Sequence, residues 1–225
     1  MIEVMGLTIH WYGILIGLGV WLALEIALRR KKKKAEKKEV EDIFFWVVLA
    51  GVIGARIYHV IDFWSRYYSH NPMKVFYIWE GGLGIWGAIG GAMLGSYIYC
   101  RWKKISFVPM MDGLIVGVPL AQAIGRLGNW VNGELVGKNG EPLFAYEAGL
   151  NLLLFAILWK VSQKKTGAGK LTGIYLLGYG FIRILLEGLR PDGIIWKIGG
   201  VPTAVIFGVI SIVVGLYLTM PKSQN

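Results

Sequence analysis

A single cysteine, Cys100, occurs among the 225 residues of the chain. One thiol cannot pair within the chain, so a disulfide scaffold is excluded. Charged residues are scarce at 17%, whereas 55% of the residues are apolar and the mean hydropathy is +0.54. Intrinsic disorder requires low hydrophobicity and is therefore excluded as well. Because a soluble domain typically has about 25% charged residues, this composition favours a membrane protein.

Several enzyme motifs are also missing. The sequence has no Gly-x-Ser-x-Gly nucleophile motif, no HExxH zinc motif and no GxxxxGK[ST] nucleotide loop. Its three histidines, His10, His59 and His70, lack the spacing of metal ligands. The sequence therefore gives no support to these standard chemistries.

Long apolar stretches dominate what is present. A helix of about 20 apolar residues crosses a hydrocarbon core about 30 Å thick. We therefore predict an all-α polytopic membrane protein with seven transmembrane helices that form one domain over residues 1–225. The predicted spans are Leu7–Leu28, Ile43–Ile61, Leu83–Cys100, Ile105–Leu127, Leu143–Trp159, Leu171–Leu189 and Val201–Met220.

Lysine and arginine are distributed unevenly among the connections. Sixteen of the 24 lie after the first, third and fifth stretches and in the tail around Lys222, and five lie in the other connections. By the positive-inside rule, the N-terminus is outside and the C-terminus is cytoplasmic. We interpret the basic run Lys31–Lys34 as a topology anchor, so no nucleic-acid partner is expected. The first stretch is not a cleaved signal peptide, because no positive charge precedes it.

The three remaining cations, Arg56, Arg126 and Arg183, lie inside apolar stretches. A cation within a bilayer costs several kcal/mol, so such residues usually face a polar cavity and have a function. All three lie within about 10 Å of the predicted outer boundary, at a rise of about 1.5 Å per residue. This common depth predicts an anion site, and the anions available there are phospholipid head groups.

Polar side chains share a helix face with two of these arginines. Residues four apart lie on one face, so Arg183 can pair with Glu187 and thereby reduce its cost of burial. The two predicted polar faces consist of Tyr175, Tyr179, Arg183 and Glu187, and of Gln122, Arg126 and Asn129.

Glycine is abundant, at 32 residues. The four-residue spacing of Gly87, Gly91 and Gly95, repeated by Gly13 and Gly17, predicts close helix packing. The adjacent pair Gly81-Gly82 predicts a loop that enters a site. Three further pairs predict turns that form an outer loop over Asn129–Pro142: Gly128-Asn129, Asn132-Gly133 and Asn139-Gly140.

These residues resemble the motifs of bacterial prolipoprotein diacylglyceryl transferases over nearly the whole chain. The most specific resemblance is Gly125–Glu134, read as GRLGNWVNGE, with Gly137 shortly after. The other similar segments are His10–Gly13, Gly54–Tyr58, Trp79–Leu83, Tyr146-Glu147 and Tyr179–Arg183 with Glu187.

The resemblance implies a monomeric multi-pass enzyme of the bacterial cytoplasmic (inner) membrane. Such enzymes transfer the diacylglyceryl group of phosphatidylglycerol to the lipobox cysteine of a prolipoprotein signal peptide, forming a thioether and releasing glycerol 1-phosphate, without a cofactor. It implies catalytic roles for Arg126, Arg183, Glu134, Tyr12 and Tyr179. It implies substrate-binding roles for Arg126, Asn129, Gly137, Arg56, Glu147 and Glu187.

Two departures from the family pattern leave the general base open. Trp86 stands where many members carry a histidine, and Glu141-Pro142 stands where the fifth motif usually begins with His-Pro. Glu147 or Glu134 could act instead, or the thiol could lose its proton to water. An anion transporter or channel and an inactive lipid-binding scaffold are the alternatives. The sequence shows no clear internal repeat of the kind that transporters often have.

Overall fold

The computed structural model describes residues 2–4, 7–9 and 11–220, with side chains from residue 11 onward. His10 of the first motif and Lys222 of the basic tail lie outside the described residues. The chain is mostly helical, at 77%, which agrees with the predicted all-α class. Within the described part, the α-helices are α1 Trp11–Arg29, α2 Lys34–Asp62, α3 Ile85–Lys103, α4 Phe107–Leu114, α5 Val118–Val131, α6 Leu143–Ser162, α7 Lys170–Glu187 and α8 Thr203–Thr219.

Four helical segments are long and apolar enough to cross a membrane: α1, α2, the Phe107–Val131 stretch that contains α4 and α5, and α6. Helix α8 is apolar but has only 17 residues. Many large apolar side chains on these helices are exposed, as expected for helices that face lipid. The chain is therefore a multi-pass membrane protein, while seven spans and their orientation stay predictions.

Several predicted boundaries were wrong. Helix α2 begins nine residues before the predicted Ile43, because Lys34–Asp42 is rich in the helix formers Lys, Glu and Ala, with Glu36 in the first turn. The fourth predicted span is broken by a 3₁₀ turn at Ile115–Gly117. Pro119 explains the break, because it has no N–H to donate to the carbonyl of the residue four positions earlier.

Two short hairpins precede helices that were predicted to start earlier. Strand β1 (Ile2–Val4) pairs antiparallel with β2 (Leu7–Ile9), so α1 begins at Trp11 rather than at Leu7. Strand β3 (Lys197–Ile198) pairs with β4 (Val201–Pro202) before α8. Gly199 and Gly200, both with positive φ, form the two-residue turn between β3 and β4.

The chain packs as two compact units. The first contains α1 and the chain from Met111 onward, in which α1 packs on α5, α5 on α6, α6 on α7 and α7 on α8. Its core consists of Val116, Leu154, Leu158, Leu171, Tyr175, Ile182 and Leu186. The second unit is Lys31–Met110, in which α2 packs along α3.

Glycines bring α2 and α3 together as predicted. A β-carbon added at Gly91 would lie 3.0 Å from the Cα of Gly54, and one at Gly95 would lie 2.5 Å from the Cβ of Ala50. The same prediction was wrong for Gly13 and Gly17, which have open space beside them in the described part of the chain. Helix α1 instead approaches α5 at Gly19, where an added β-carbon would lie 3.1 Å from the carbonyl oxygen of Ala121. The buried residues of α1 are Gly19, Ala23 and Ala27. The spacing identifies a face of small residues but not whether a neighbouring helix covers it.

A buried carboxylate fixes the start of α7, the helix that carries Arg183. Asp112 accepts hydrogen bonds from the backbone N–H of Gly169 (2.6 Å), and from the N–H (2.8 Å) and hydroxyl (2.7 Å) of Thr172. Its backbone carbonyl accepts a bond from Arg30 at 2.8 Å. Asp112 thus supplies acceptors for orphan donors in the first turn of α7 and ties that turn to the end of α1.

Candidate active site

The C-terminal end of α5 and the loop that follows it present three linked polar side chains. Arg126 donates through Nη1 to Oδ1 of Asn129 at 3.1 Å. The amide of Asn129 in turn donates to Oε2 of Glu134 at 3.0 Å, and the backbone N–H of Glu134 returns to the Asn129 carbonyl at 2.8 Å. Asn129 is buried at 8% exposure, whereas Glu134 is exposed. Asn129 therefore links the Arg126 guanidinium to the exposed carboxylate of Glu134.

Helix α6 places one carboxylate between two of the predicted cations. Oε1 of Glu147 accepts a hydrogen bond from Nη2 of Arg126 at 2.5 Å and lies 3.7 Å from Nη1 of Arg183. Glu147 is only 3% exposed, and the amide of fully buried Asn151 donates to its backbone carbonyl at 2.9 Å. The structure thus brings Arg126 and Arg183 together, as predicted, around a shared counter-ion.

Beyond Arg183, carboxylate and guanidinium groups continue to alternate. Oε2 of Glu187 lies 3.9 Å from Nη2 of Arg183, so the predicted pair is present, and it lies 3.6 Å from Nη1 of Arg190. Arg190 is one of the five basic residues that the sequence places in the other connections, without a predicted role. The signal was its spacing of three from Glu187, because the turn after α7, in which the Arg190 N–H donates to the Glu187 carbonyl at 3.1 Å, brings the two side chains together. The row Arg126, Glu147, Arg183, Glu187 and Arg190 contains three cations and two carboxylates.

Arg126 and Arg183, the two central arginines, differ in their hydrogen-bond partners. Arg126 uses two of its donors on Asn129 and Glu147. Arg183 has carboxylate oxygens at ion-pair distance, at 3.7 and 3.9 Å, but makes no hydrogen bond to any of the described residues. Its side chain is 21% exposed. The planar fork of Arg183 therefore retains donors for an added anion.

Two predicted tyrosines lie beside this row. The ring of Tyr12 packs on Gly128, where an added β-carbon would lie 2.5 Å from its Cδ2 atom. Tyr179 stacks on Tyr175 with ring centroids 5.7 Å apart. Gln122 donates to the Tyr175 hydroxyl at 2.9 Å. The predicted polar faces of α5 and α7 thus meet.

The loop after α5 is fixed by its own polar groups. Gly137 donates to the carbonyl of Glu141 at 2.8 Å, and the neighbouring Lys138 N–H binds the carbonyl of Leu189 at 2.9 Å. The Glu141 carboxylate accepts hydrogen bonds from the backbone N–H and the side-chain amide of Asn139, both at 2.9 Å. These hydrogen bonds, the backbone one first, lower the pKa of Glu141 below its ordinary value.

Two of the three predicted turns in this region are present, at Asn132-Gly133 and at Asn139-Gly140, with positive φ at both glycines. The third was wrong, because α5 continues through Gly128 and Asn129 to Val131. The Asn129 side chain bonds to Arg126 and Glu134 and so does not compete for its own backbone. Gly128 is buried against Tyr12, so packing favours the helix.

Arg56 and the Gly-rich segment belong to the second unit and are described within it. Glu80 ends a 3₁₀ turn, and Gly81 and Gly82 follow with φ of 86° and 74°, so the predicted loop is present. Arg56 is buried at 8% exposure and contacts this loop. Trp86, in place of the family's histidine, lies in the first turn of α3.

The arrangement in the first unit fits anion chemistry. Guanidinium groups in a partly buried site form strong bidentate hydrogen bonds with phosphate oxygens. Donors fixed before the reaction also stabilise charge that develops on a leaving group, and they do so better away from bulk water.

Comparisons with known proteins point to one family. The family model for prolipoprotein diacylglyceryl transferase matches residues 1–220. The chain is similar to the phosphatidylglycerol--prolipoprotein diacylglyceryl transferase of Clostridium novyi, at 34% identity over 98% of this chain and 94% of the relative. It is similar to those of Listeria monocytogenes, at 32% identity over 100% and 90%, and of Parasynechococcus marenigrum, at 36% over 90% and 83%.

Proposed function

Because the chain belongs to the prolipoprotein diacylglyceryl transferase family, we propose that it transfers the diacylglyceryl group of phosphatidylglycerol to the lipobox cysteine of a prolipoprotein. The products are a thioether-linked lipoprotein precursor and glycerol 1-phosphate. The enzyme acts without a cofactor, as a monomer, in the cytoplasmic (inner) membrane. Its seven spans place the arginine row near the outer leaflet, with the N-terminus outside.

One observation carries the proposal: Glu147 holds Arg126 and Arg183 side by side, while Arg183 keeps donors uncommitted. A phosphodiester needs two or more donors for its two non-bridging oxygens. Arg183 supplies the open fork, and Arg126 supplies charge from a fixed position. Glu187 orients Arg183, and Asn129 orients Arg126 beside the head group.

The reaction is a displacement at the carbon that joins diacylglycerol to phosphate. The cysteine sulfur attacks as a thiolate, an S–C bond forms, and the C–O bond to phosphate breaks. The electron pair of that bond goes to the departing glycerol 1-phosphate, which gains negative charge. Arg126 and Arg183 stabilise this charge more strongly in the transition state than in the lipid, which is the condition for catalysis.

The thiol proton goes to Glu134 in this proposal. Glu134 is the exposed carboxylate of the site, and the amides of Asn129 and Asn132 hold it at 3.0 and 3.3 Å. Glu147 is buried between two guanidinium groups and serves as their counter-ion. Tyr12 and Tyr179 lie beside the arginine row, and Gly137 keeps the outer loop closed on Glu141.

The test is transfer by purified protein in vesicles that contain phosphatidylglycerol and a lipobox peptide. We expect the peptide to gain the mass of a diacylglyceryl group and glycerol phosphate to be released. Arg183→Gln should abolish both, whereas Arg101→Gln, which removes the same charge from an exposed position on α3, should not. An unchanged peptide mass with wild-type protein, under conditions where a relative works, would refute the transferase and leave the lipid-binding scaffold.

The relatives described above are named as transferases, which favours this activity over the anion transporter or channel. That alternative has its own readout in the same vesicles. Movement of chloride or phosphate across the bilayer without peptide modification would support it instead.

A further inference from the structure

The guanidinium of Arg56 is fully occupied by its own loop. Each of its five N–H donors has a backbone carbonyl as partner, and all of these carbonyls lie between α2 and α3. The acceptors are Val75 for Nε (2.9 Å), Gly81 (2.6 Å) and Gly82 (3.1 Å) for Nη1, and Lys74 (2.5 Å) and Tyr77 (3.0 Å) for Nη2.

The charge of Arg56 is stabilised by dipoles rather than by an anion. Within the described part of the chain it makes no ion pair, and its guanidinium carbon lies 5.4 Å from the ring centroid of Tyr68. Tyr68 is itself buried and its hydroxyl lies 3.0 Å from Nδ1 of His59. The carbonyls and the aromatic ring together offset the cost of burying the cation.

The loop lies directly on Arg56 and His59. A β-carbon at Gly82 would lie 2.8 Å from Cε1 of His59 and 2.9 Å from Nη1 of Arg56. The N–H of Gly84 also donates to the carbonyl of Ala55 at 3.0 Å. Only a residue without a side chain, in a positive-φ conformation, allows this approach.

The closed loop forms one wall of a cleft of about 440 Å³. Gly81, Gly82 and Glu80 belong to the loop, and His59 and Arg56 belong to α2. A volume of this size falls in the range of small-molecule sites, about 300–1,000 Å³. The part of this wall that the loop supplies is in place because the segment 74–82 is held against α2.

We propose that Arg56 is a positioning residue, which folds the segment 74–82 onto α2 and does not itself bind the substrate phosphate. This replaces the substrate-binding role expected from the sequence, because no N–H of Arg56 is left for an anion. The inference rests on the proposed function only for its expected effect on turnover, which follows because the segment overlaps the family motif Trp79–Leu83. The fold of the loop is a separate and directly measurable consequence.

The variants Arg56→Lys and Arg56→Gln distinguish a positioning role of Arg56 from a phosphate-binding role. A lysine keeps the charge but offers three donors from one atom and cannot reach five carbonyls. If Arg56 bound phosphate, Arg56→Lys would keep much of the activity that Arg56→Gln loses. Its main defect would be a higher KM for phosphatidylglycerol. If Arg56 is a positioning residue, both variants should lose kcat/KM to the same extent. Gly82→Ala should cause a similar loss although Arg56 is intact.

Limited trypsin cleavage reads the loop without activity. The carbonyl of Lys74 is an Arg56 acceptor, so cleavage after Lys74 requires the loop to open. We expect that cleavage to be about tenfold faster or more in both Arg56 variants, while cleavage after exposed Arg66 in the same molecule changes little. Arg101→Gln is the control.

Wild-type cleavage rates at Lys74 in both Arg56 variants, or rescue of turnover by lysine, would overturn the proposal. A wild-type protein that makes no thioether refutes the proposed function but leaves the cleavage test standing. The two failures are therefore distinguishable.

Discussion

Oε1 of Glu147 lies 2.5 Å from Nη2 of Arg126, on a carboxylate that is 3% exposed. The same oxygen faces Arg183. Loss of the Glu147 charge would therefore leave the two guanidinium groups close together without this shared counter-ion. Removing one partner of a buried ion pair usually costs more than the pair itself contributes, because the other charge stays buried.

Glu147→Gln is therefore expected to destabilise the protein by about 3 kcal/mol and to abolish transfer. Thermal unfolding in detergent and peptide modification in vesicles measure the two effects. Glu41→Gln, which removes an exposed carboxylate on α2, is the matched control and should change neither. Full turnover by Glu147→Gln would show that the arginines need no shared counter-ion.

The two central arginines should respond differently to lysine. Arg183→Lys keeps the charge but loses the open fork, so we expect kcat to fall by about 100-fold with little change in unfolding temperature. Arg126→Lys loses its bonds to both Asn129 and Glu147, so we expect a lower unfolding temperature as well as lower turnover. Steady-state kinetics beside thermal unfolding distinguish the two. Equal loss of stability in both variants would contradict the assignment.

Arg190→Gln tests the cation that sequence reasoning missed. Without Arg190, Glu187 has Arg183 as its remaining partner, so the pair should tighten and leave Arg183 less available to phosphate. We expect the KM for phosphatidylglycerol to rise by about tenfold, the equivalent of about 1.4 kcal/mol, with a smaller effect on kcat. Lys197→Gln, at an exposed position in β3, should leave the KM unchanged. An unaltered KM in Arg190→Gln would remove it from the site.

The sequence predicted the helices and the meeting of Arg126 and Arg183, because apolar length and the cost of a buried cation are local properties. It could not predict that Glu147 is shared, because that depends on how α6 packs between α5 and α7. The role of Arg56 was hidden for a related reason. A buried arginine satisfied by carbonyls and one that binds an anion look the same in sequence, and only the loop's path distinguishes them.

Asp112→Asn tests the anchor of the helix that carries Arg183. Asparagine keeps one acceptor oxygen and puts an NH₂ group in place of the other, opposite a backbone N–H of Gly169 or Thr172. We expect a loss of about 1–3 kcal/mol in the free energy of unfolding. Thr172→Val removes only the hydroxyl bond and should cost less. If the two changes are strictly additive, the hydrogen bonds to Asp112 do not act as one unit.

Glu141→Gln tests the loop after α5 through its pH dependence. Hydrogen bonds from Asn139 lower the pKa of Glu141 in the folded protein, so the ionised carboxylate stabilises the loop above the unfolded pKa. This stabilisation is lost as the pH falls through the lowered folded pKa, below about pH 4. Amide hydrogen exchange at Gly137 and Gly140 should therefore be faster in the variant than in the wild type at pH 7.

Below that pH the two proteins should exchange alike once the intrinsic effect of pH is removed, because the wild-type carboxyl is then protonated. Asn139→Ala should reproduce only part of the effect at pH 7, because it removes the side-chain bond at 2.9 Å but keeps the backbone N–H bond and the charge. A difference between wild type and Glu141→Gln that persists unchanged below pH 4 would mean that shape, not charge, holds the loop. In that case the packing of Glu141 against Gly137 would be the cause, and Gly137→Ala would be the more damaging substitution.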